Sequence, residues 1–271
     1  MPDPLHIPRN RLFIIAGPCV IESLDLCLTV ARRLREICAA LDLPFIFKAS
    51  FDKANRSSAS SFRGPGLAEG LKILAAVKQQ CAVPILTDIH EPNQPAEAAK
   101  VVDVLQVPAF LARQTDLLVA AARTGRWVNV KKGQFMSPQE MKNAVDKVRS
   151  AGNPNVMLTE RGTFFGYNRL VNDFTALPVM QSFGVPVVFD VTHSTQQPGG
   201  LGTASGGNPQ FVPLLTRAAV AAGVDGLFIE THPDPPNAKS DAASVYHLDK
   251  MPALLTQAKQ LADLRANWRQ S

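Results

Sequence analysis

Short runs rich in Val, Ile, Leu and Phe recur along the chain at 12–16, 45–47, 84–87, 102–107, 127–130, 156–159, 186–189 and 226–229. Longer stretches between them, such as 24–41, 67–80, 138–151 and 209–222, carry apolar residues at helical spacing. The alternation predicts repeated βα units, with buried strands and helices that cover them. Eight such units with no linker between them predict a closed (β/α)8 TIM barrel. An open, doubly wound sheet is the competing architecture.

Each run ends in polar residues. In chain order these are Gly17-Pro18-Cys19, Lys48, Asp88 with His90, Gln106 before Pro108, Lys131 and Lys132, Glu160 and Arg161, Asp190 and His193, and Glu230 with His232. A parallel closed sheet puts every strand C-terminus on one face, where barrel enzymes assemble groups from several strands. The open sheet would also bind its ligand at that edge.

Composition changes this picture little. A length of 271 residues with 46% hydrophobic content suits one barrel, so residues 1–271 read as a single catalytic domain with a short extension at 1–10. The balance of 28 Lys+Arg against 23 Asp+Glu is a scattered +5, which does not point to nucleic acid or a membrane surface and leaves small anionic substrates open. Residues 1–10 lack an apolar h-region, and no later segment approaches roughly eighteen apolar residues in a row. A cytoplasmic protein is expected. The four cysteines show no C-x-x-C spacing. Cys27 and Cys38 read as small buried hydrophobes on one helix face, while Cys19 sits apart at a strand end.

The candidate chemistry is cationic first. The segment from Lys48 through Lys53, Asn55, Arg56, Ser57 and Ser58 is too polar for core and reads as an oxyanion-binding loop, with a solvated surface loop as the plain alternative. Lys131-Lys132 and Arg161 repeat that chemistry on other strands, and cations on three strands of one face imply more than one anionic group. Lysines at a strand end also admit a Schiff-base aldolase, but a pair beside Arg161 fits anion binding better. Cys19, His193, Glu230 and Asp241 follow the first, seventh and eighth runs, and the first and eighth strands of a closed barrel are neighbours. Thiolate, imidazole and two carboxylates would suit Zn, Fe, Co or Mn rather than Ca or Mg. Taken singly, Cys19 is more readily a packed thiol and His193 a hydrogen-bonded loop residue. The glycine-rich stretch from Pro198 to Gly202, with Ser205-Gly206-Gly207, is either a phosphate site or a lid.

Several segments together are specific. Gly17-Pro18-Cys19-Val20-Ile21-Glu22-Ser23, Lys53-Ala54-Asn55-Arg56-Ser57-Ser58, Thr87-Asp88-Ile89-His90-Glu91, Gln114-Thr115-Asp116, Asn129-Val130-Lys131-Lys132-Gly133-Gln134-Phe135 and Phe165-Gly166-Tyr167-Asn168 resemble the 3-deoxy-manno-octulosonate 8-phosphate synthase family. The likeness runs from about Leu12 past Asp241. It implies a barrel enzyme that condenses phosphoenolpyruvate with arabinose 5-phosphate and releases phosphate, towards the core sugar of lipopolysaccharide. The related synthase acting on erythrose 4-phosphate usually carries Lys-Pro-Arg-Thr where this chain has Lys53-Ala54-Asn55-Arg56-Ser57-Ser58, which favours the pentose phosphate.

The resemblance implies that Lys48, Lys53, Lys131 and Arg161 hold phosphoenolpyruvate, with Gln106 nearby. It implies that Asn55, Arg56 and Ser57 hold arabinose 5-phosphate, with Asp88 near its hydroxyls. Arg113 would reach the sugar's phosphate from a neighbouring subunit, which requires an oligomer, and the resemblance implies the family's homotetramer. The family has a metal-requiring branch with Cys, His, Glu and Asp ligands and a metal-free branch with Asn for the cysteine. Cys19, with His193, Glu230 and Asp241, therefore implies a divalent metal. Cys19, Lys48, Lys53, His193 and Asp241 are the expected catalytic set, the glycine-rich loop is expected to be a lid, and His90 and His232 are expected to support ligands rather than to be ligands. A silent sugar-phosphate-binding barrel is the alternative of another class. It would need the cations but not the Cys, His, Glu and Asp set.

Overall fold

A computed structural model describes residues 5–9, 11–55, 58, 60–164, 167–200 and 205–268. Eight parallel strands form the barrel: β1 (Phe13–Gly17), β2 (Phe45–Lys48), β3 (Ile85–Asp88), β4 (Val104–Val107), β5 (Trp127–Lys131), β6 (Val156–Glu160), β7 (Val187–Asp190) and β8 (Gly226–His232). Neighbours pair in chain order. The sheet closes where β1 pairs with β8, with Phe13 opposite Gly226 and Gly17 opposite Glu230. Closure decides between the two architectures considered above, and it brings the first and eighth strand ends side by side.

Helices α1 (Leu24–Ala40), α2 (Leu67–Cys81), α3 (Gln94–Ala98), α4 (Thr115–Ala122), α5 (Met141–Ser150), α6 (Ala176–Gln181), α7 (Val212–Ala222) and α8 (Met251–Trp268) lie along the chain between and after the strands. Ser23 starts α1 by accepting the Leu26 N–H on Oγ. Cys27 and Cys38 are buried on α1, and burial pushes both thiols up to about 12, as expected of inert packing groups. Among the described residues, no helix is long and apolar enough to cross a membrane.

The strands are buried on both faces, and their side chains alternate between two apolar layers. Ile14, Phe47, Ile85, Leu105, Val128, Leu158, Phe189 and Leu227 pack towards the helices. Phe13, Ile15, Ile46, Leu86, Val104, Met157, Val188 and Phe228 fill the barrel interior, with Leu5 and Ile7 packed against that cluster. Each fully buried side chain of this size contributes about 1.5–3 kcal/mol. Continued by two residues along each strand, the inner set leads to Gly17, Lys48, Asp88, Gln106, Thr159, Asp190 and Glu230, and through Asn129 to Lys131. The apolar interior is therefore the floor of a polar layer. Lys131 Nζ rests 3.9 Å from the centroid of the Phe228 ring. At Gly17 a Cβ would meet the Lys48 carbonyl oxygen at 1.9 Å, so only glycine lets the end of β1 approach β2 this closely.

Three short pairings were not anticipated: Thr163–Phe164 with Leu170–Val171, Gln196–Gln197 with Gly206–Gly207, and Tyr246–His247 with the end of β8. Two-residue ribbons are too short to leave a periodic signal.

Candidate active site

A cleft of about 390 Å³ opens at the C-terminal ends of the strands. Lys53, Asn55, Asp88, Lys131, Arg161, His193 and Asp241 line it. Lys48, Gln106, Cys19 and Glu230 are buried in its wall and floor. Arg56 and Ser57 lie outside the described residues, as do Phe165, Gly166 and 201–204 of the glycine-rich loop. Pro198, Gly199 and Ser205 of that loop reach the cleft.

One side of the cleft is cationic. Arg161, which follows β6, donates from Nη2 to Gln196 Oε1 at 3.0 Å and to the His193 carbonyl at 3.2 Å. Its Nε is buried with no hydrogen-bond partner, a donor left for a ligand. Lys131 donates to Asp190 Oδ2 at 2.5 Å. Burial lowers the Lys131 ammonium below its usual range despite Asp190, Glu230 and Asp88, and an incoming anion would favour its charged form. Lys53 stands 3.6 Å from both Asp88 Oδ2 and Glu230 Oε1. Burial alone would lower it, but Cys19, Glu230, Asp88 and Asp241 hold it well above the usual lysine range.

Beneath these cations runs a hydrogen-bonded layer. Thr159 Oγ1 donates to Asn129 Oδ1 at 2.7 Å, Asn129 Nδ2 to Gln106 Oε1 at 2.8 Å, and Gln106 Nε2 to Asp88 Oδ1 at 2.6 Å. Ser50 donates to the other Asp88 oxygen. This chain fixes the amide orientation of Gln106 and aims Asp88. Burial pushes the Asp88 carboxyl up, but Lys53, Lys48 and Lys131 outweigh it and keep the group ionised. Ser50, Asn129 and Thr159 are site-supporting residues the sequence reading missed. Asn129 and Thr159 gave a signal as the lone polar residues of their apolar runs, and Ser50 lay within the segment already read as polar.

The other side gathers the Cys, His, Glu and Asp set. Cys19 Sγ lies 3.0 Å from Ser240 Oγ and 3.4 Å from Asp241 Oδ2. Ligand atoms of Cys19, Glu230 and Asp241 all fall within 4.8 Å of one another. His193 stands at the edge of this group, with Nε2 3.5 Å from Glu230 Oε2 and 3.7 Å from Asp241 Oδ2. Asp190 accepts from His193 Nδ1 at 2.6 Å and, on its other oxygen, from the His193 backbone N–H at 2.9 Å. A carboxylate only accepts, so Nδ1 carries a proton towards Asp190, and Nε2 faces the two acids. Asp241 adopts φ 51, an uncommon left-handed conformation for a non-glycine residue. Glu230 receives the buried Lys48 ammonium on Oε1, while Oε2 is buried without a hydrogen-bond partner. Burial would raise the Glu230 carboxyl, but Lys48, His193 and Lys53 bring it well below the usual range. The Cys19 thiol is pushed the other way, upwards, by burial and then by Asp241 and Glu230.

Other expected residues fall elsewhere. Lys132, grouped with Lys131 as an anion ligand, points away from the cleft. It is buried behind the barrel wall, where Nζ meets Thr163 Oγ1 at 3.2 Å and the Met136 carbonyl at 3.3 Å. Alternation along the strand forces this, because Lys131 takes the inward position. Arg113 does not reach its own cleft. It is exposed beside a separate groove shared with Met136, Glu140, Asn143 and Lys147. His232 Nε2 sits 3.6 Å from Glu22 Oε1, away from the acids. His90 lines the cleft beside Asp88, with its Nδ1 buried and unpartnered.

Cations converging from three strands above an ionised polar layer, at the C-terminal face of a closed parallel barrel, define a barrel enzyme built for anionic substrates. Residues 8–267 match the model of the DAHP synthetase I family. The chain is 56% identical over 264 residues to a 2-dehydro-3-deoxyphosphooctonate aldolase of Nitratidesulfovibrio vulgaris, covering 97% of both chains. It is 59% identical over 256 residues to the enzyme of that name from Thioalkalivibrio sulfidiphilus, covering 94% of this chain and 91% of the relative. With the enzyme of that name from Xanthomonas euvesicatoria it shares 59% identity over 250 residues, covering 92% and 91%. The chain belongs to the DAHP synthetase I family and, within it, to the 2-dehydro-3-deoxyphosphooctonate aldolases, another name for the synthase family its motifs resemble.

Proposed function

We propose that this chain condenses phosphoenolpyruvate with D-arabinose 5-phosphate and water, giving 3-deoxy-D-manno-octulosonate 8-phosphate and inorganic phosphate. The observation that carries the reading is the cationic arc, in which Lys53, Lys131 and Arg161 enter one cleft from three strands. In this reading Arg161 and Lys131 bind the carboxylate and phosphate of phosphoenolpyruvate. Asn55, Arg56 and Ser57 bind the sugar phosphate, and Asp88 faces its hydroxyls. The enol ester's C3 joins the aldehyde carbon, water adds at C2, and phosphate leaves. The chain's part is to hold two mutually repelling anions in contact with cations and dipoles already in place, so that orientation and charge are provided before reaction.

The reading includes one divalent ion, Zn, Fe, Co or Mn, held by Cys19, His193, Glu230 and Asp241. Two features fit it. Glu230 Oε2 is a buried acceptor with no hydrogen bond, facing the Nε2 of His193. Burial, and then the two flanking acids, keep the Cys19 thiol protonated, and a bound cation reverses that effect. When bound, such an ion supplies Lewis acidity to a sugar oxygen or to water. The reading also includes a cytoplasmic homotetramer in which the exposed Arg113 completes a neighbour's sugar-phosphate site.

Phosphate release from phosphoenolpyruvate, measured with arabinose 5-phosphate and with erythrose 4-phosphate, tests the proposal. Release is expected with the pentose phosphate and much more slowly with the tetrose phosphate. The reverse order would indicate the heptulosonate synthase, and no release with either would indicate a sugar-phosphate-binding barrel.

A further inference from the structure

Two buried charges of the strand-end ring stand outside the cleft, and the proposed reaction does not use them. Glu160 and Lys132 take the outward positions of β6 and of the residue following β5, and each is 1% exposed. Their closest approach is 3.7 Å. A buried pair at this separation does not repay its desolvation through attraction alone, and apolar residues would fill the space at least as stably. What the pair does locally is specific. Pairing of β6 with β7 stops at Glu160, so the N–H groups of the next two residues have no strand partner. Glu160 Oε1 takes both, from Arg161 at 3.0 Å and from Gly162 at 2.6 Å. Gly162 then turns at φ +93 into the Thr163–Phe164 ribbon. Lys132 Nζ ties that ribbon to the loop after β5 through Thr163 Oγ1 and the Met136 carbonyl. The Phe164 N–H joins the same two segments through the Gln134 carbonyl at 2.9 Å. The backbone from which Arg161 enters the cleft is thus clamped from behind, while its guanidinium is steadied in front by Gln196 and the His193 carbonyl.

We propose that Glu160, backed by Lys132, is a positioning residue for Arg161, setting the geometry of the phosphoenolpyruvate subsite from outside the barrel wall. The inference rests on the reading that Arg161 binds phosphoenolpyruvate. The test compares steady-state constants of the full-length protein with those of two double variants that strand no buried charge. Glu160→Leu with Lys132→Met removes the acceptor, and Glu160→Gln with Lys132→Met keeps an oxygen for the two N–H groups. The first is expected to raise KM for phosphoenolpyruvate about tenfold, since sub-ångström misplacement of a binding group is enough for such a loss, and to leave KM for the sugar phosphate within about twofold. The second is expected to recover most of the phosphoenolpyruvate KM. Lys132→Met alone, which leaves the carboxylate on its N–H groups, serves if the first variant does not fold and is expected to give a smaller rise in the same constant. A merely structural role lowers kcat through the active fraction with both KM values unchanged, and that result overturns the proposal. So does failure of the glutamine variant to recover. Arg161→Lys separates the two layers of the argument. An unchanged phosphoenolpyruvate KM in that variant overturns the reading of Arg161 itself.

Discussion

Asp190→Asn is expected to lower kcat/KM by about 10²- to 10⁴-fold and to weaken retention of the proposed divalent metal by about 10- to 100-fold. Asp190 is fully buried, and one of its oxygens accepts from both Lys131 Nζ and His193 Nδ1. The two donors lie 3.4 Å apart and do not bond each other; the carboxylate they share holds them together. Burial would raise the Asp190 carboxyl, but His193 and Lys131 hold it below the usual range, so it is charged throughout the working pH range. An amide of the same shape fails both neighbours. It offers Lys131 no charge, and its NH₂ can face Nδ1, which favours the tautomer with its proton on Nε2, the nitrogen the proposed metal would need free. Metal content per chain after dialysis, together with turnover at saturating metal, checks both parts. Wild-type metal retention with wild-type turnover would show that the tautomer and the Lys131 contact are idle.

Lys48→Met destabilises the metal-free protein by roughly 3–5 kcal/mol. Lys48 is completely buried, donating to Glu230 Oε1 and to the Cys19 carbonyl at 2.7 Å. Without it Glu230 keeps only Lys53, at 3.6 Å, as a lysine partner within ion-pair distance among the described residues. The carbonyl behind Cys19 loses its donor as well. Adding Glu230→Gln to Lys48→Met removes the stranded charge and is expected to recover much of the loss, because the two changes act on one interaction. Denaturant midpoints at one protein concentration measure this, and strictly additive losses would contradict it. The effect sets Lys48 apart from Lys53 and Lys131. It braces the floor and the turn carrying Cys19, whereas the other two line the cleft.

The barrel was legible because eight apolar runs alternate with helical stretches, and the location of the site followed from parallel closure. What was not legible was parity. Strands buried on both faces show no alternation of polar and apolar residues, so nothing in 127–132 says which of Lys131 and Lys132 faces inward, and nothing in 156–161 separates Glu160 from Arg161. One residue of register decides whether a charge meets substrate or braces the wall. Asn129 and Thr159 held a clue, since a lone polar residue inside such a run points to a polar layer. Asp241 lies well past β8, in a left-handed turn; its place after the eighth run made it one candidate among loose spacings, and the family resemblance gave it weight. Asp190 was visible as a polar strand end, but its shared contact with Lys131 and His193 depends on the closed sheet bringing β5 and β7 around β6.

The ring of polar residues at the strand ends comprises a cationic arc and a proposed metal corner whose thiol is Cys19. The direct measurement is the metal content of the purified protein, paired with turnover on phosphoenolpyruvate and arabinose 5-phosphate after exhaustive chelation and after re-addition of Zn, Fe, Co or Mn. Close to one divalent ion per chain is expected, with loss of turnover by at least about 10²-fold on its removal and recovery on its return. Full turnover from chains stripped of metal would contradict the proposed role of Cys19, His193, Glu230 and Asp241.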